Sequence, residues 1–435
     1  MGKWVDTTIG AYCDPPQYGL NASAIKYDGE HGYIRITDID DTSHRFIKSG
    51  ITSPDEFSDE YLVKKGDVLL ARTGASVGKS YVYDDRDGQL YFAGFLIRFR
   101  PKKDNDPGFL FYQTLTDRYA RWVANVSVRT GQPGINSLEY ATYKFLAPVS
   151  LDEQRHIAEI LTTCDEVIEK SEAVAEKYRA IKAGMLKDLF TRGIGKNGKL
   201  RPPPESTPQH YKDTALGKVP REWEVKSFDS AFELHGNNTL SRAFLTNQNG
   251  AVRNIHYGDV LVKYDTILDC DDEALPSVIA EGVRQAGNDY LQNGDLVFAD
   301  TAEDDTVGKA VELYNVGDRT IVSGLHTIFA RPKEDDFASR WLGYYVNSDS
   351  FHKQLLPFVV GSKVSSISRT NIKRTFVVIP ESDEQQQIAE RLSAIDAKIA
   401  DELAVIAKYR KVKAGLMARL LTPPPDVKIV DGGVE

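Results

Sequence analysis

The chain has 435 residues, of which 41% are hydrophobic and 27% are charged, a composition typical of a soluble globular protein with two or three domains. It contains no apolar run of about 18 residues, and its start lacks the pattern of a secretory signal, so we expect no membrane span and a cytoplasmic location. The three cysteines are far apart, which excludes a disulfide scaffold or a thiolate zinc site. Because the formal net charge is −9, binding to a polyanion must be argued from local patches.

The first half of the chain predicts a domain of mixed helices and strands followed by one long helix. Strand-like segments lie at 32–39, 67–73, 80–85 and 95–101, and a helical segment lies at 108–124. From Asp152 to Thr191, apolar residues recur at spacings of three and four, which predicts a helix of about 60 Å at 1.5 Å per residue. Residues 192–220 are rich in proline and glycine and predict a linker without a helical or strand core.

The second half repeats the first. Residues 383–422 align with 152–191 without a gap at an offset of 231, and 19 of the 40 positions are identical. The preceding segments repeat more loosely, since KKGDVLLART (64–73) resembles QNGDLVFADT (292–301). The predicted organisation is therefore a first domain (1–151), a helix (152–191), a linker (192–220), a second domain (221–382), a second helix (383–422) and a tail (423–435).

The apolar stripes of the two helices predict that they pair as a coiled coil. The alternative is that each helix only covers its own domain. Glycine recurs inside both stripes, at Gly184 and Gly415, although it costs roughly 1 kcal/mol relative to alanine in a helix. This recurrence predicts close backbone approach, with fraying at the helix end as the alternative.

Three motifs that suggest an enzyme are incomplete. GASVGKS (74–80) has three residues between its glycine and the Gly-Lys pair, whereas a phosphate-binding loop needs four. DPPQ (14–17) lacks the aromatic residue of an amino-methyltransferase motif, and the eight histidines show no metal-ligand spacing. We therefore expect no catalytic residue, no bound cofactor and no metal.

Two polar loops at corresponding places could contact DNA. Residues 350–380 hold five basic residues and no Asp or Glu, and residues 118–148 hold four basic residues against Glu139 alone. Arginine, glutamine and asparagine can read base edges, whereas lysine can bind phosphates. The predicted base-reading residues are Arg129, Gln132 and Asn136 in one loop and Lys363, Ser365 and Arg369 in the other. The predicted phosphate-binding residues are Lys79 and Lys373, and Arg72 and residues 254–257 are alternative sites of recognition.

Over its full length the chain resembles the specificity subunits of type I restriction–modification systems. The resemblance rests on PVSLDEQRHIAEILTTCDEVIE (148–169), VIPESDEQQQIAERLSAIDAKI (378–399), LGKVPREWEV (216–225), and the segments KKGDVLLARTGASVGK and GQPGIN. It implies an α+β fold with two similar α/β target recognition domains, joined by two long antiparallel coiled-coil helices in a pseudo-twofold repeat. It also implies that each domain reads one half of a split, asymmetric DNA sequence.

The resemblance further implies partners. Two modification subunits would dock on the helices, bring AdoMet and methylate adenine in double-stranded DNA, and two motor-nuclease subunits would join them for restriction. The acidic clusters at 269–274 and 303–305 should then face away from DNA or meet a basic partner. Two alternatives remain: a tandem binding scaffold for protein or glycan, and the specificity chain of another DNA-modification or phage-defence assembly.

Overall fold

The computed structural model describes residues 3–129, 131–361, 364–425, 427 and 429–431. The chain divides into two compact units, unit 1 with residues 1–173 and 402–435 and unit 2 with residues 174–401. Unit 1 contains domain 1 (residues 3–148), and unit 2 contains domain 2 (residues 224–379). Because the division falls inside both long helices, each unit contains one half of each helix.

Domain 1 is built from short strands and short helices. The strands are β1 (Trp4–Thr8), β2 (Gln17–Tyr18), β3 (Ala24–Lys26), β4 (Gly32–Ile34), β5 (Thr52–Pro54), β6 (Val68–Ala71), β7 (Ser80–Val82), β8 (Leu90–Phe92), β9 (Leu96–Phe99) and β10 (Lys144–Pro148). The helices are α1 (Ile9–Tyr12), α2 (Pro107–Gln113), α3 (Asp117–Val126) and α4 (Ser137–Ala141), and the first long helix, α5, is Leu151–Leu189.

The sheets of domain 1 are small. The largest has the order β2-β9-β6-β7, and β1 lies between β10 and a C-terminal strand, β26 (Ile429–Asp431). Their inner faces, with α2, α3 and the first turns of α5, enclose a core that includes Trp4, Phe109 and Leu161. Since β10 leads into α5 after pairing with β1, the first and last strands of the domain meet where the long helix begins.

Domain 2 has the same plan with a larger central sheet. Its strands, with the hairpin that precedes it, are β11 (Tyr211–Thr214), β12 (Gly217–Pro220), β13 (Glu224–Ser227), β14 (Phe232–His235), β15 (Leu245–Thr246), β16 (Arg253–Ile255), β17 (Ile267–Asp269), β18 (Ser277–Val278), β19 (Leu296–Ala299), β20 (Thr301–Ala302), β21 (Ala310–Tyr314), β22 (Ile321–Ser323), β23 (Thr327–Pro332), β24 (Ser365–Ser366) and β25 (Phe376–Ile379). Its helices are α6 (Phe228–Ala231), α7 (Tyr257–Val262), α8 (Trp341–Val346), α9 (Asp349–His352) and α10 (Arg369–Ile372), and the second long helix, α11, is Ser382–Leu420.

The central sheet of domain 2 has the order β14-β23-β19-β21-β17, and a second sheet has the order β15-β18-β16-β22. Strand β25 pairs with β13 and leads into α11, as β10 leads into α5. The main core includes Trp223, Trp341 and Leu392. Strands and helices are thus mixed in both domains, and the fold is α+β with an internal repeat.

The central strand of each domain begins with the same buried ion pair. Asp67 and Asp295 are 0% and 1% exposed, and each follows a glycine with a φ near +90° (Gly66 +94°, Gly294 +83°), a conformation that favours glycine. Arg100 donates from Nε and Nη2 to Asp67 at 2.7 and 3.0 Å. Arg331 does the same to Asp295 at 2.8 and 2.6 Å. These forks lock β6 to β9 and β19 to β23.

The segment 108–124, predicted as a single helix, is broken in two, and the corresponding segment 340–355 of domain 2 is broken in the same way. In domain 1 the break lies between α2 and α3, where the Thr116 side chain accepts the Tyr119 N–H at 3.2 Å and caps α3. In domain 2 it lies between α8 and α9. In domain 1 the capping hydroxyl offers the backbone an alternative to continuing the helix, which the apolar periodicity does not reveal.

A buried glutamine joins each domain to its long helix. The Gln154 amide donates to the Pro148 carbonyl and accepts the Asp106 N–H, both at 2.8 Å. Its counterpart Gln385, at an offset of 231, donates to the Pro380 and Asp336 carbonyls at 2.9 and 2.8 Å and accepts the Ala338 N–H at 2.8 Å. Both glutamines therefore satisfy backbone groups that are shut off from water.

A cluster of tyrosine, aspartate and lysine recurs in the two units; we call it the Tyr–Asp–Lys cluster. In unit 1, Tyr112 donates to Asp165 at 2.8 Å, and Lys413 pairs with the same carboxylate at 2.6 Å and lies over the tyrosine ring. In unit 2, Tyr344, Asp396 and Lys182 make the same contacts at 2.8 and 2.6 Å. The aspartate and the lysine come from different long helices each time.

The contacts of these clusters show how the helix halves meet. In unit 1, Asp165 pairs with Lys413 and Glu172 pairs with Arg410. The residue numbers of the second helix therefore decrease as those of the first helix increase. In unit 2, Lys182 pairs with Asp396 and Lys398 lies over the Tyr178 ring, which gives the same order. Within each unit, the two helix halves therefore run antiparallel.

Three sequence-based expectations about this region are wrong in part. Residues 211–220 of the linker form an antiparallel hairpin of β11 and β12, and the linker residues Ile194 and Arg201 bind the buried Glu384. A Cβ on Gly184 or Gly415 would meet none of the described residues within 4 Å, so neither glycine serves close backbone approach to that part of the chain. The apolar stripes of the two helices are not buried along their whole length, since Ile181, Leu403 and Val412 are 40%, 43% and 41% exposed.

The buried glutamine yields a stability prediction. Gln385→Ala would leave the Ala338 N–H and two carbonyls without their partner, and a buried unsatisfied polar group costs about 1–3 kcal/mol. We expect the free energy of unfolding of unit 2 to fall by about 2–3 kcal/mol in urea denaturation. Gln386→Ala, at the exposed neighbouring position, is the matched control and should change it by less than about 0.5 kcal/mol. Equal effects of the two variants would contradict the assigned role.

Candidate nucleic-acid interface

Three segments of domain 1 meet at one edge, beyond the end of β6. The backbone N–H of Arg72 donates to the Phe95 carbonyl at 2.9 Å, which joins the strand end to the turn before β9. The N–H of Ile135 donates to the Arg72 carbonyl at 2.9 Å, and that of Gly74 donates to the Pro133 carbonyl at 3.0 Å. The strand end, the turn and the polar loop 131–137 thus form one surface, which we call the three-segment edge of domain 1.

Domain 2 builds the same edge from corresponding segments. The N–H of Asp300 donates to the His326 carbonyl at 3.0 Å, and the N–H of Ile367 donates to the Asp300 carbonyl at 2.9 Å. In addition, β20 pairs with β24, with Thr301 opposite Ser366. The two polar loops singled out from the sequence therefore occupy equivalent places beside the strand ends of the two domains.

Arginine and aromatic side chains line the three-segment edge of domain 1. The Arg72 guanidinium lies over the Tyr18 ring, 5.0 Å from its centroid, and the Tyr18 hydroxyl accepts the Ser137 N–H at 3.1 Å. Partial burial raises the pKa of Tyr18, but the hydrogen bond from Ser137 and the charge of Arg72 outweigh it and leave the pKa below its ordinary value. Tyr18 and Phe95 are 39% and 56% exposed. A cation and two aromatic faces are thus presented to solvent.

Of the other residues predicted in domain 1, several are already engaged within the chain. Arg129 donates to both carboxylate oxygens of Glu139, and the Asn136 side chain accepts the Glu139 N–H at 2.9 Å as the cap of α4. Lys79 donates to the Ile39 carbonyl at 2.9 Å and pairs with Asp41, with only 11% of its side chain exposed. Gln132 is exposed at the edge beside Gly74. DNA contact by these four residues stays a prediction.

The residues predicted in domain 2 are divided in the same way. Arg369 donates to the His235 carbonyl and to Asn237 Oδ1, and Lys373 pairs with Asp229 at 2.8 Å. Ser365 lies in β24 at the edge, opposite Ala302. Lys363 lies outside the described residues. Roles in base reading or phosphate binding for these four residues also stay predictions.

The sequence reasoning missed other groups at these edges. Tyr18 and Phe95 were not named, and neither were Asp300 and His326, the counterparts of Arg72 and Phe95 in domain 2. The repeat offered a signal, because LLART and VFADT place Arg72 and Asp300 at the same position after the strand. The charge pattern alone does not indicate Asp300, because an acid is not an obvious contact to a polyanion.

The two acidic clusters of domain 2 lie in different surroundings. In the first, Asp271 pairs with Arg319 at 2.7 Å and Glu273 lies near Lys263, which neutralises part of the charge locally. In the second, residues 303–305 are exposed and directly follow β20, next to the three-segment edge. The second cluster therefore makes this edge of domain 2 acidic, whereas the edge of domain 1 carries Arg72.

One cleft of unit 1 contains charged groups that are already paired. It has a volume of about 790 Å³, and its Arg45 and Arg86 both pair with Glu169. Among the residues that the structure describes, no three His, Cys, Asp or Glu side chains are grouped as for a metal ion. None of the helices in the described ranges combines the length and the hydropathy that a bilayer-spanning helix requires.

Comparisons with known proteins agree on one family. The family model described as type I restriction modification DNA specificity domain matches residues 18–177 and 220–407. The MjaVIII specificity subunit of a type I restriction enzyme from Methanocaldococcus jannaschii is 23% identical over 397 residues, with 89% of this chain and 86% of that protein covered. The putative MjaX specificity subunit from the same organism is 24% identical, with 94% and 91% covered.

Solved structures show the same fold. The S subunit of a type I restriction–modification system from M. genitalium superposes with a TM-score of 0.60 at 13% identity and covers 97% of both chains. A chain from a structure on complex assembly and conformational transition of the type I system gives a TM-score of 0.50 at 13% identity, with 96% and 97% covered. Because two copies of the family domain account for most of its length, the chain belongs to the specificity-subunit family of type I restriction–modification systems.

Proposed function

We propose that this chain is the DNA-recognition subunit of a type I restriction–modification complex and that each domain reads one half of a split, asymmetric sequence. The observation that carries this proposal is the recurrence of the three-segment edge in two domains whose exposed side chains differ. Equivalent backbones would place both edges against a major groove in the same manner, and different side chains would select different bases. Because one chain holds two such domains, its DNA site would consist of two separate parts.

The groups at the edges suit readout of base edges. Arg72 and Gln132 in domain 1, and Asp300, Ser365 and Arg369 in domain 2, offer donors and acceptors that can distinguish base pairs in the major groove. Close approach of the backbone is possible at Gly131 and Gly134. The net charge of −9 makes long-range attraction to phosphates weak, so the proposal relies on these local contacts.

The long helices are the proposed platform for partners. Two modification subunits would dock on them, bring AdoMet and methylate adenine, and two motor-nuclease subunits would join for cleavage. Ile181, Leu403 and Val412 are apolar and 40–43% exposed, and the exposed glycines Gly184 and Gly415 would admit a partner close to the helix backbone. The repeat supports two copies of each partner, because a pseudo-twofold chain presents the same surface twice.

The central test is a methylation map. The chain should be co-expressed with the modification subunit encoded beside it in a host without other adenine methyltransferases. Single-molecule sequencing should then show methylated adenine in one bipartite motif, whose two parts are separated by a fixed number of unspecified bases. The modification subunit expressed alone is the control and should leave the genome unmodified. Absence of modification, or a single contiguous motif, would contradict the proposal.

A second test concerns the cofactor. The chain should contribute recognition and no chemistry, because its DPPQ segment (14–17) lacks the aromatic residue of an amino-methyltransferase. We expect no heat of AdoMet binding to the pure chain in calorimetry, and binding only after the modification subunit is added. Micromolar binding to the chain alone would show that it carries a cofactor site of its own.

A third test concerns the spacing between the half-sites. Four residues inserted after Ala173 and four after Asp401 would lengthen each helix by about 6 Å and roughly one turn. Both insertions fall at the division between the units, so the Tyr–Asp–Lys clusters would be kept. We expect the same two half-sites with about two more base pairs between them, since a base pair rises 3.4 Å.

The matched control is the same four residues inserted in the exposed loop after Asp104, which should leave the motif unchanged. Circular dichroism of the lengthened variant checks that both helices are retained. A folded variant that modifies the original motif with the original spacing would show that the helices do not set the distance.

A further inference from the structure

The two domains place side chains of opposite charge at one equivalent position. In domain 1, β6 pairs with β9 so that Ala71 lies opposite Leu96. In domain 2, β19 pairs with β23 so that Ala299 lies opposite Thr327. The next residues, Arg72 and Asp300, each donate their N–H to the residue before β9 or β23, and each carbonyl accepts an N–H from the polar loop. The backbone hydrogen bonds are therefore the same in both domains, and the equivalent position holds an arginine in domain 1 and an aspartate in domain 2.

Arg72 is held in place without being neutralised. Its guanidinium rests on the Tyr18 ring, whose hydroxyl is fixed by the Ser137 N–H. Within the described ranges it takes part in no ion pair and no side-chain hydrogen bond, whereas Arg129 on the same edge is bound to Glu139. Stacking on the ring orders the planar guanidinium without engaging its N–H donors in hydrogen bonds. The donors remain free for a ligand that offers two acceptors.

Asp300 is also held in place with one oxygen to spare. Its Oδ1 accepts the Thr301 hydroxyl at 2.7 Å and lies 3.4 Å from His326 Nδ1. Its Oδ2 has no partner among the described residues, and 26% of the side chain is exposed. A partly exposed carboxylate with one unengaged oxygen is an acceptor for an N–H donor.

We infer that Arg72 reads a guanine in one half-site and that Asp300 reads a cytosine in the other. This inference rests on the proposed function and adds to it the base class that each domain selects. Guanine presents the O6 and N7 acceptors that match an arginine fork, and cytosine presents the N4 amino group that matches a carboxylate. Adenine suits Asp300 less well, because its N7 acceptor lies beside the N6 donor and would face the negative charge.

The two contacts should affect general affinity in opposite directions. Arg72 adds attraction to any duplex, whereas Asp300, beside the exposed acidic residues 303–305, adds repulsion by the phosphates. Removing the charge of Arg72 should therefore weaken binding to random DNA, and removing that of Asp300 should strengthen it. Each of the two changes should nevertheless weaken the preference for one base at one base pair.

The test uses two substitutions, one at Arg72 and one at Asp300, each of which should change the preferred base to adenine. Glutamine and asparagine both pair with the N6 and N7 groups of adenine. In the methylation map of the complex, Arg72→Gln should change one guanine to adenine in one half-site, a transition. Asp300→Asn should change one cytosine to adenine in the other half-site, a transversion. Preference for the original base should fall by about tenfold or more at each position, and all other positions should stay as in the wild type.

Matched controls are Lys103→Gln and Asp318→Asn, exposed residues outside both edges that undergo the same changes in charge. They should leave the motif unchanged, and circular dichroism should show all four variants folded. If the wild-type complex modifies a bipartite motif, and the folded Arg72→Gln and Asp300→Asn variants modify it with the same base preferences, the inference is wrong and the proposed function stands. A wild-type complex without any bipartite motif would overturn the proposed function itself.

Discussion

Each recognition domain contacts an aspartate on the long helix that follows it, and the lysine that neutralises this aspartate comes from the other long helix. Asp165 receives Lys413 from the second long helix, and Asp396 receives Lys182 from the first. These pairs are largely shielded from water, with Lys413 and Asp165 only 18% and 20% exposed, so removing either partner would leave an uncompensated charge. A half of the chain that kept only its own helix would therefore lack the lysine that its aspartate requires.

The Tyr–Asp–Lys clusters hold one side of each domain against the long helices. Tyr112 and Tyr344 also donate to the same aspartates, and burial raises the pKa of both tyrosines, which keeps them neutral donors. The buried glutamines Gln154 and Gln385 close the same end of each domain. That end is occupied by packing, whereas the strand ends at Arg72 and Asp300 are partly exposed, so their side chains can vary without disturbing the attachment.

The sequence predicted the parts of this arrangement that depend on local periodicity. The long helices, the duplication and the two polar loops followed from spacing and self-similarity. The hairpin at 211–220 pairs locally, but its segment is rich in proline and glycine and therefore predicted only a linker. The anchoring of Arg201 did not follow either, because its partner Glu384 lies 183 positions away. Lys79 illustrates the same limit: its glycine-rich surroundings suggested an anion site, but the ammonium is taken up by Ile39 and Asp41. Long-range partners of this kind leave no local signal.

A comparison of the two domains separates what the fold requires from what recognition can change. The Asp67–Arg100 and Asp295–Arg331 forks use the same donor atoms, Nε and Nη2, and lie at the start of the central strands. At the opposite ends of those strands, Arg72 and Asp300 share a backbone frame and differ in charge. A buried fork tolerates little change because an unpaired buried ion is costly, whereas an exposed strand end loses little when its side chain is replaced. After duplication, the edges could therefore diverge while the forks could not, and a single chain came to present two different side chains, Arg72 and Asp300, on the same backbone frame.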